Sequence, residues 1–277
     1  MENMNKKLAS ILISTTGKAD SVVESVKRLK NQKTKLDLEI IISDNSCRED
    51  QKKTLESIKD IPNLKLIFID HNNGYIRNYH ELVNASKGEY LFIVNPDIQI
   101  KHEDTLQKLV DYLDKNPEIG ILGPKQINEP GGEVAMTVRA FPNIFLQVCR
   151  RTWLRKLPVI KKMVAYDEMK HLDYTKTQEV DWLQSSFVLL TRDWWNKLGG
   201  FDKTYFIFMS DPEICFQTWK KGKKVVYYPE VVVYADGKRL SQGGFKDFFK
   251  KWLMRQHLKD SLKYTFKHLF ERSPRRK

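Results

Sequence analysis

"YLFIVNPDIQIKHEDTL", Tyr90 to Leu106, is the stretch on which the fold turns. Tyr90 to Asn95 is an apolar run without polar alternation, which reads as a strand buried on both faces. The run stops at Pro96-Asp97. Beyond it, "EDTLQKLVDYLDKNP" carries apolar residues at helical spacing and closes before Pro117. A buried strand followed by a helix is half of a βαβ unit. Asp97 needs a reason of its own, because it places a carboxylate where a core strand meets solvent.

The same alternation runs upstream. "LASILIS" (Leu8–Ser14) reads as a strand that turns at Thr15-Thr16-Gly17, and Ala19 to Asn31 is helical through Val22, Val23, Val26 and Leu29. "LEIIISDNS" is a second strand ending in Asp44-Asn45-Ser46, followed by a helix in "QKKTLESIKDI" and a third strand in "LKLIFIDH". "NNGYIRNYHELVNASKG" is a turn leading into a helix that Gly88 is expected to stop. Such alternation predicts an open α/β fold: a parallel sheet with right-handed crossovers and helices on both faces. Ligands of such sheets bind outside the carboxyl ends of the strands. Asp44 and Asp97 share that edge. Either one alone is commonly a turn former or a helix cap. Two together suit a nucleotide, one accepting hydrogen bonds from base or ribose and the other lying near a metal and pyrophosphate.

Past "GILGPKQINEPGGE" the chain becomes dense in aromatics. "SSFVLLT" reads as a strand, "RDWWNKLGG" as a short helix with a glycine stop, and "SDPEICFQTWKKGK" as a helix with Ser210 as N-cap. "KVVYYPEVVVYA" reads as a strand pair broken at Pro229. The net charge of +13 is unevenly spread. Cys149 to Lys162 holds six Lys/Arg and no acid, and Gln242 to Lys277 holds eleven Lys/Arg against three acids. A uniformly basic chain would point to nucleic acid. Charge confined to two aromatic-studded segments fits an anionic membrane surface at least as well, and the membrane rather than nucleic acid is the partner expected. Three scattered cysteines without CxxC spacing suit a reducing compartment and argue against a zinc site. With neither a leader-like run at the N-terminus nor a stretch of transmembrane length, a cytoplasmic location is expected.

Taken together, these motifs and their order resemble the inverting family 2 glycosyltransferases of GT-A fold, and within them bacterial rhamnosyltransferases that extend lipid-linked cell-surface polysaccharides. The resemblance spans Leu8 to about Phe270. It is carried by Thr15-Thr16-Gly17, Asp44-Asn45-Ser46, "NNGYIRN", "NPDI" with "KHEDTL", "VRAFP" (Val138–Pro142), "VDWLQSSFVLLTR" and "GGFDKTYFIFMSDPEIC". It implies a catalytic domain over 1–241, with a nucleotide-sugar half to about 115 and an acceptor half beyond, then a basic helical extension over 242–277.

By the same resemblance, Asp211 is the general base. Thr15, Thr16, Gly17, Asp44, Asn45, Gly74, Asn78, Asn95 and Asp97 would bind the donor, and Arg139, Asp181, Trp182, Gln184 and Glu213 the acceptor. A divalent cation, Mg²⁺ or Mn²⁺, is implied at Asp97. The chain departs from the pattern at Ser210, where the family has Glu, and at Ala235, about where it has a His ligand. Asp236 is then the candidate second ligand, and Lys238, Arg239 and His257 are candidate diphosphate partners. The partners expected are dTDP-L-rhamnose and a polyprenyl-diphosphate-linked glycan at the inner face of the membrane. The alternatives are a UDP-hexose donor, or a lapsed enzyme acting as a basic scaffold. For "FKDFFKKWLMRQHLKDSLKYTFKHLF" two readings stand: helices packed on the catalytic domain, or an amphipathic membrane contact through Phe245, Phe248, Phe249, Trp252, Met254, Leu258, Leu262 and Phe266.

Overall fold

The computed structural model describes residues 6–237 and 252–276. Lys238, Arg239, Phe245, Phe248 and Phe249 lie outside the described residues. The predicted alternation is present: β1 (Leu8–Thr15), α1 (Ala19–Leu29), β2 (Asp37–Asp44), α2 (Glu49–Glu56), β3 (Leu64–Phe68), α3 (Tyr75–Ala85), β4 (Tyr90–Val94) and α4 (Thr105–Lys115). Then come β5 (Ile119–Asn128), β6 (Val138–Arg139), α5 (Ile144–Arg151), α6 (Pro158–Asp167), β7 (Gln178–Glu179), β8 (Trp182–Leu183) and β9 (Phe187–Thr191). The chain continues through α7 (Arg192–Leu198), α8 (Ser210–Lys220), β10 (Lys224–Ala235) and α9 (Trp252–Lys267).

Eight strands form one sheet in the order β3-β2-β1-β4-β9-β5-β10-β7. β1 to β4 pair in parallel, as do β5 and β10. β9 is inserted antiparallel between β4 and β5, and the sheet is mostly parallel, as the GT-A resemblance implies. β4 is buried at every position, as its unbroken apolar run requires. One face is covered by α1 through Val22, Val26 and Leu29 and by α4 through Leu106, Leu109 and Leu113. The other is covered by α3 through Ile76, Tyr79 and Leu82, by Trp194 and Trp195 of α7, and by α8.

Three local expectations are corrected, and one strand, β5, was not read from sequence at all. Gly88 does not stop α3, which ends at Ala85 with an extended Ser86. A Cβ at Gly88 would collide with Ser10, so the glycine serves close approach of chains. β10 is one strand, not two: Pro229 falls where the register slips between Tyr228 and Val232, a bulge that tolerates a residue without an N–H. β5 was hidden by its own Pro124, which pairs with Tyr228 beside that bulge. Ser210 is the first residue of α8 rather than its cap; the cap position is Met209, in the left-handed region at φ +66°.

Candidate active site

The carboxyl ends of β1, β2 and β4 build the donor side. Thr15 pairs with Asp44 at the last rung of β1 and β2. The Thr15 hydroxyl accepts from Lys18 N at 3.0 Å, and Asp44 accepts from Ser46 N at 2.9 Å in an Asx-turn. Thr16 is exposed, and Gly17 (φ +115°) turns the chain between them. Asn45 reaches across to the loop before α3, donating to Asn72 Oδ1 at 3.1 Å. Asn78 does not reach this surface. It is fully buried, donating to Ser14 Oγ at 2.6 Å and accepting from Ser43 Oγ at 2.5 Å, which ties β1 to β2.

Asp97 follows β4 and meets the end of β10, because Gln99 and Tyr234 exchange two backbone hydrogen bonds. That bridge brings Asp236 beside Asp97. The Lys18 ammonium serves both, 2.9 Å from Asp236 and 3.5 Å from Asp97. Burial pushes the Asp97 carboxyl up, Lys18 opposes this, and the neighbouring Asp236 adds to it. Two carboxylates of this kind are the ligand type a hard divalent cation takes, in exchange for the Lys18 ammonium that bridges them here. No group of three or more acid, His or Cys side chains able to hold a metal occurs among the described residues.

Asp211 stands at the start of α8, bound to the turn between β8 and β9. Ser185 Oγ donates to Asp211 Oδ1 at 2.5 Å, and Tyr75 OH is 2.8 Å from Ser185 Oγ. Since Ser185 has a single proton, engaged with the carboxylate, Tyr75 is the donor to Ser185. Dense packing surrounds Asp211, although part of its surface still meets solvent. Burial pushes its carboxyl above the usual range, and the hydrogen bonds from Ser185 and Ser210 only partly offset this. Such a carboxyl is a better proton acceptor near neutral pH than an ordinary Asp. The segments that carry the two acidic centres are joined. Asn95 N donates to Ser186 O at 2.7 Å, next to the serine that binds Asp211, and the Tyr79 phenol feels both Asp211 and Asp97.

The acceptor-side residues divide. Gln184 is exposed, and Trp182 is pinned by its indole N–H on Ala140 O at 2.7 Å with its ring half-buried. Arg139 faces the buried Glu168 at 3.9 Å, and Asp181 accepts from Phe141 N and from Arg275 at 2.8 Å. Glu213 is turned inward, 2% exposed, and held by Lys267 at 2.8 Å and His268 at 2.7 Å. Burial alone would raise its carboxyl, but His268, Lys267 and Gln217 hold it below the ordinary value. It anchors α9 to α8 and does not line the cleft. His257 packs its ring on Phe208, centroids 4.6 Å apart. Sequence reasoning passed over Lys18, Ser185 and Asp260. Ser185 was visible only as the first serine of "LQSSF", a pattern with no chemistry until the sheet sets it against Asp211.

This architecture is that of a GT-A glycosyltransferase. The chain belongs to glycosyl transferase family 2, whose sequence profile matches residues 10–174. It is 25% identical over 212 residues to N-acetylglucosaminyl-diphospho-decaprenol L-rhamnosyltransferase of Mycobacterium tuberculosis, covering 72% of this chain and 67% of that one. It is 27% identical over 199 residues to the rhamnosyltransferase WbbL of Escherichia coli K12, covering 70% and 68%. Among solved structures, the mannosyltransferase PcManGT of Pyrobaculum calidifontis, in complex with GDP-Man and Mn²⁺, superposes with a TM-score of 0.60 at 14% identity. GalNAc-T7 with UDP, GalNAc and Mn²⁺ gives 0.62 at 16%. The chain spans 65% and 48% of those two structures' own lengths, and at such identity the likeness is one of fold.

Proposed function

We propose that the protein is an inverting glycosyltransferase that moves L-rhamnose from dTDP-L-rhamnose onto a lipid-linked or nascent cell-surface glycan. The observation that carries the chemistry is Asp211, a carboxyl raised by burial and aimed by Ser185. The names of the two rhamnosyltransferase relatives support the sugar. Asp211 takes the proton of the acceptor hydroxyl as that oxygen bonds to the anomeric carbon, and the bond from that carbon to the nucleoside diphosphate breaks from the opposite side. Thr15, Asp44 and Asn45 receive the nucleoside, and Lys18 offers its charge to the diphosphate. Asp97 and Asp236 would hold a divalent cation, which supplies positive charge where the diphosphate departs.

Asp211→Asn tests this reading. Turnover of dTDP-L-rhamnose should fall by about 10²–10⁴-fold while dTDP binds as before; near-normal turnover removes Asp211 from the role. Running the assay with UDP-hexoses beside dTDP-L-rhamnose decides the donor.

The acceptor places the protein on the inner face of a bacterial membrane in this reading. No helix among the described residues is long and apolar enough to cross one. The contact is instead a surface: Leu258, Leu262, Phe266 and Phe270 are exposed along and beyond α9 among lysines, and Phe145, Val148, Trp153 and Val159 are exposed on the basic α5–α6 segment. Sedimentation with anionic liposomes, and loss of it in Phe266→Glu/Phe270→Glu with unchanged turnover on a short soluble acceptor, is the expected result. Equal recovery of that variant with the liposomes refutes the surface.

A further inference from the structure

Asp260 is a carboxylate with 0% exposure, carried on α9 and directed into the catalytic domain. Its Oδ2 accepts the backbone N–H groups of three successive residues: Phe206 at 3.4 Å, Ile207 at 3.3 Å and Phe208 at 3.0 Å. Its Oδ1 accepts from Gln256 at 2.9 Å. Consecutive N–H groups converging on one oxygen form an anion nest, and a fold tolerates a buried carboxylate only when it is so paired. The same helix braces this loop at three more points. The Trp252 ring stands edge-on to Phe206 at 5.7 Å, His257 lies on Phe208, and the Lys263 ammonium donates to Thr204 O at 2.7 Å.

The loop leads to Asp211 by two routes. Forward along the chain, Phe208 is followed by Met209, held at φ +66°, where a residue with a Cβ is uncommon, and then by Ser210 and Asp211. A displaced loop lets Met209 relax and turns the start of α8. Backward, the Phe206 carbonyl accepts from Tyr75 N at 3.1 Å, and Tyr75 OH is the residue that fixes Ser185 on Asp211. Backbone and side-chain partner of Asp211 are thus both set by residues 206–208. We infer that Asp260 is a positioning residue for Asp211, holding through its carboxylate the loop that aims the base. This rests on Asp211 being the base.

The experiment is a double-mutant cycle on the full chain with Asp260→Ala, Asp211→Asn and both together, read as kcat, acceptor KM and dTDP affinity. Asp260→Ala should lower kcat by up to about 100-fold, the cost of misplacing a reacting group by an ångström, with dTDP affinity unchanged. In the Asp211→Asn background the same change should cost almost nothing, because its route to the reaction is gone. A merely structural role would give equal losses in both backgrounds, and that result overturns the inference, as does a normal kcat in Asp260→Ala. Asp260→Asn, which keeps size and one acceptor oxygen, takes its place in the cycle if the alanine variant fails to fold. The two readings fail separately: normal turnover in Asp211→Asn sinks the base itself, whereas a strongly slowed Asp211→Asn with additive losses sinks only Asp260.

Discussion

Ser185→Ala separates an Asp211 that is a base from one that is merely a buried acid. Ser185 gives its proton to Asp211 across 2.5 Å and is itself held by Tyr75. Burial raises the Asp211 carboxyl, and Ser185 is the first of the groups that hold it back. A hydrogen bond to a charged group contributes about 1.5–3 kcal/mol, and 1.4 kcal/mol is tenfold, so alanine should disfavour the ionised base by about 10–100-fold. The sign follows from which form the hydroxyl binds. Its donor stabilises the carboxylate, so removing it moves ionisation to higher pH, and the acid limb of the kcat/KM profile moves with it. Below its shifted acid limb the variant should turn over slowly; above that limb, where the carboxyl ionises again, much of the loss should return. The assay is release of dTDP across pH with donor saturating. An acid limb left where it was, or a loss equal at every pH, refutes the reasoning, because neither outcome needs Asp211 to be ionised in the rate-limiting step.

Asp211→Asn should raise thermal stability while lowering turnover by about 10²–10⁴-fold. The folded-state carboxyl is raised, so ionisation is penalised in the fold; the penalty is absent below about 3.8, grows as pH rises and is complete above the raised value. The gain in Tm should therefore appear at neutral pH and vanish in acid, and a gain that ignores pH contradicts it. Gly74→Ala places a Cβ 2.7 Å from the Phe206 carbonyl at φ +85°. At ψ 166° the backbone lies in an extended positive-φ region that is essentially glycine-only, which alone costs about 1–3 kcal/mol, and relief of the clash pushes on residues 206–208, so both Tm and kcat should fall; unchanged kcat with lower Tm would uncouple that loop from Asp211. Asp97→Asn should abolish any dependence of dTDP affinity on Mn²⁺ or Mg²⁺, measured by calorimetry with and without EDTA. Persistence of that dependence moves the cation elsewhere.

The first half of the fold was legible because each β-strand there is a short apolar run closed by a polar turn, and each helix carries one apolar face. Asp44 and Asp97 could be assigned to one edge from strand order alone. The second half resisted for identifiable reasons. β5 contains two glycines and a proline, all adverse to a strand in isolation, yet a Cβ at Gly120 would strike Trp194 and one at Gly123 would strike Leu183. The absence of side chains is what lets α7 and β8 close on the sheet. Ser185 and Lys18 were invisible because they work on partners distant in sequence. Asn78 and Glu213 carried family motifs into the interior, where the first joins two strands and the second joins two helices.

Of the two readings that sequence left open for the C-terminal helix, the structure shows packing on the domain, and the proposed membrane contact would use the opposite face. Met254, Asp260, Ser261 and Tyr264 are buried against the domain, while Leu258, Leu262 and Phe266 face out. Its charge divides in the same way. Lys267 is committed to Asp202 and Glu213, and Arg275 to Asp181, so part of the local positive charge serves packing. An exposed lysine near an anionic surface contributes about 1 kcal/mol, whereas burying a Phe or Leu side chain contributes about 1.5–3 kcal/mol. Three or four such side chains then match or exceed the lysines around them, and the apolar face should keep part of any membrane attachment after salt has screened the charges. Exchanging Lys267 for Gln would accordingly show as lost stability through Glu213, and exchanging Phe266 as lost partitioning. The helix that holds residues 206–208 on one face is the one that the proposed membrane contact would use on the other.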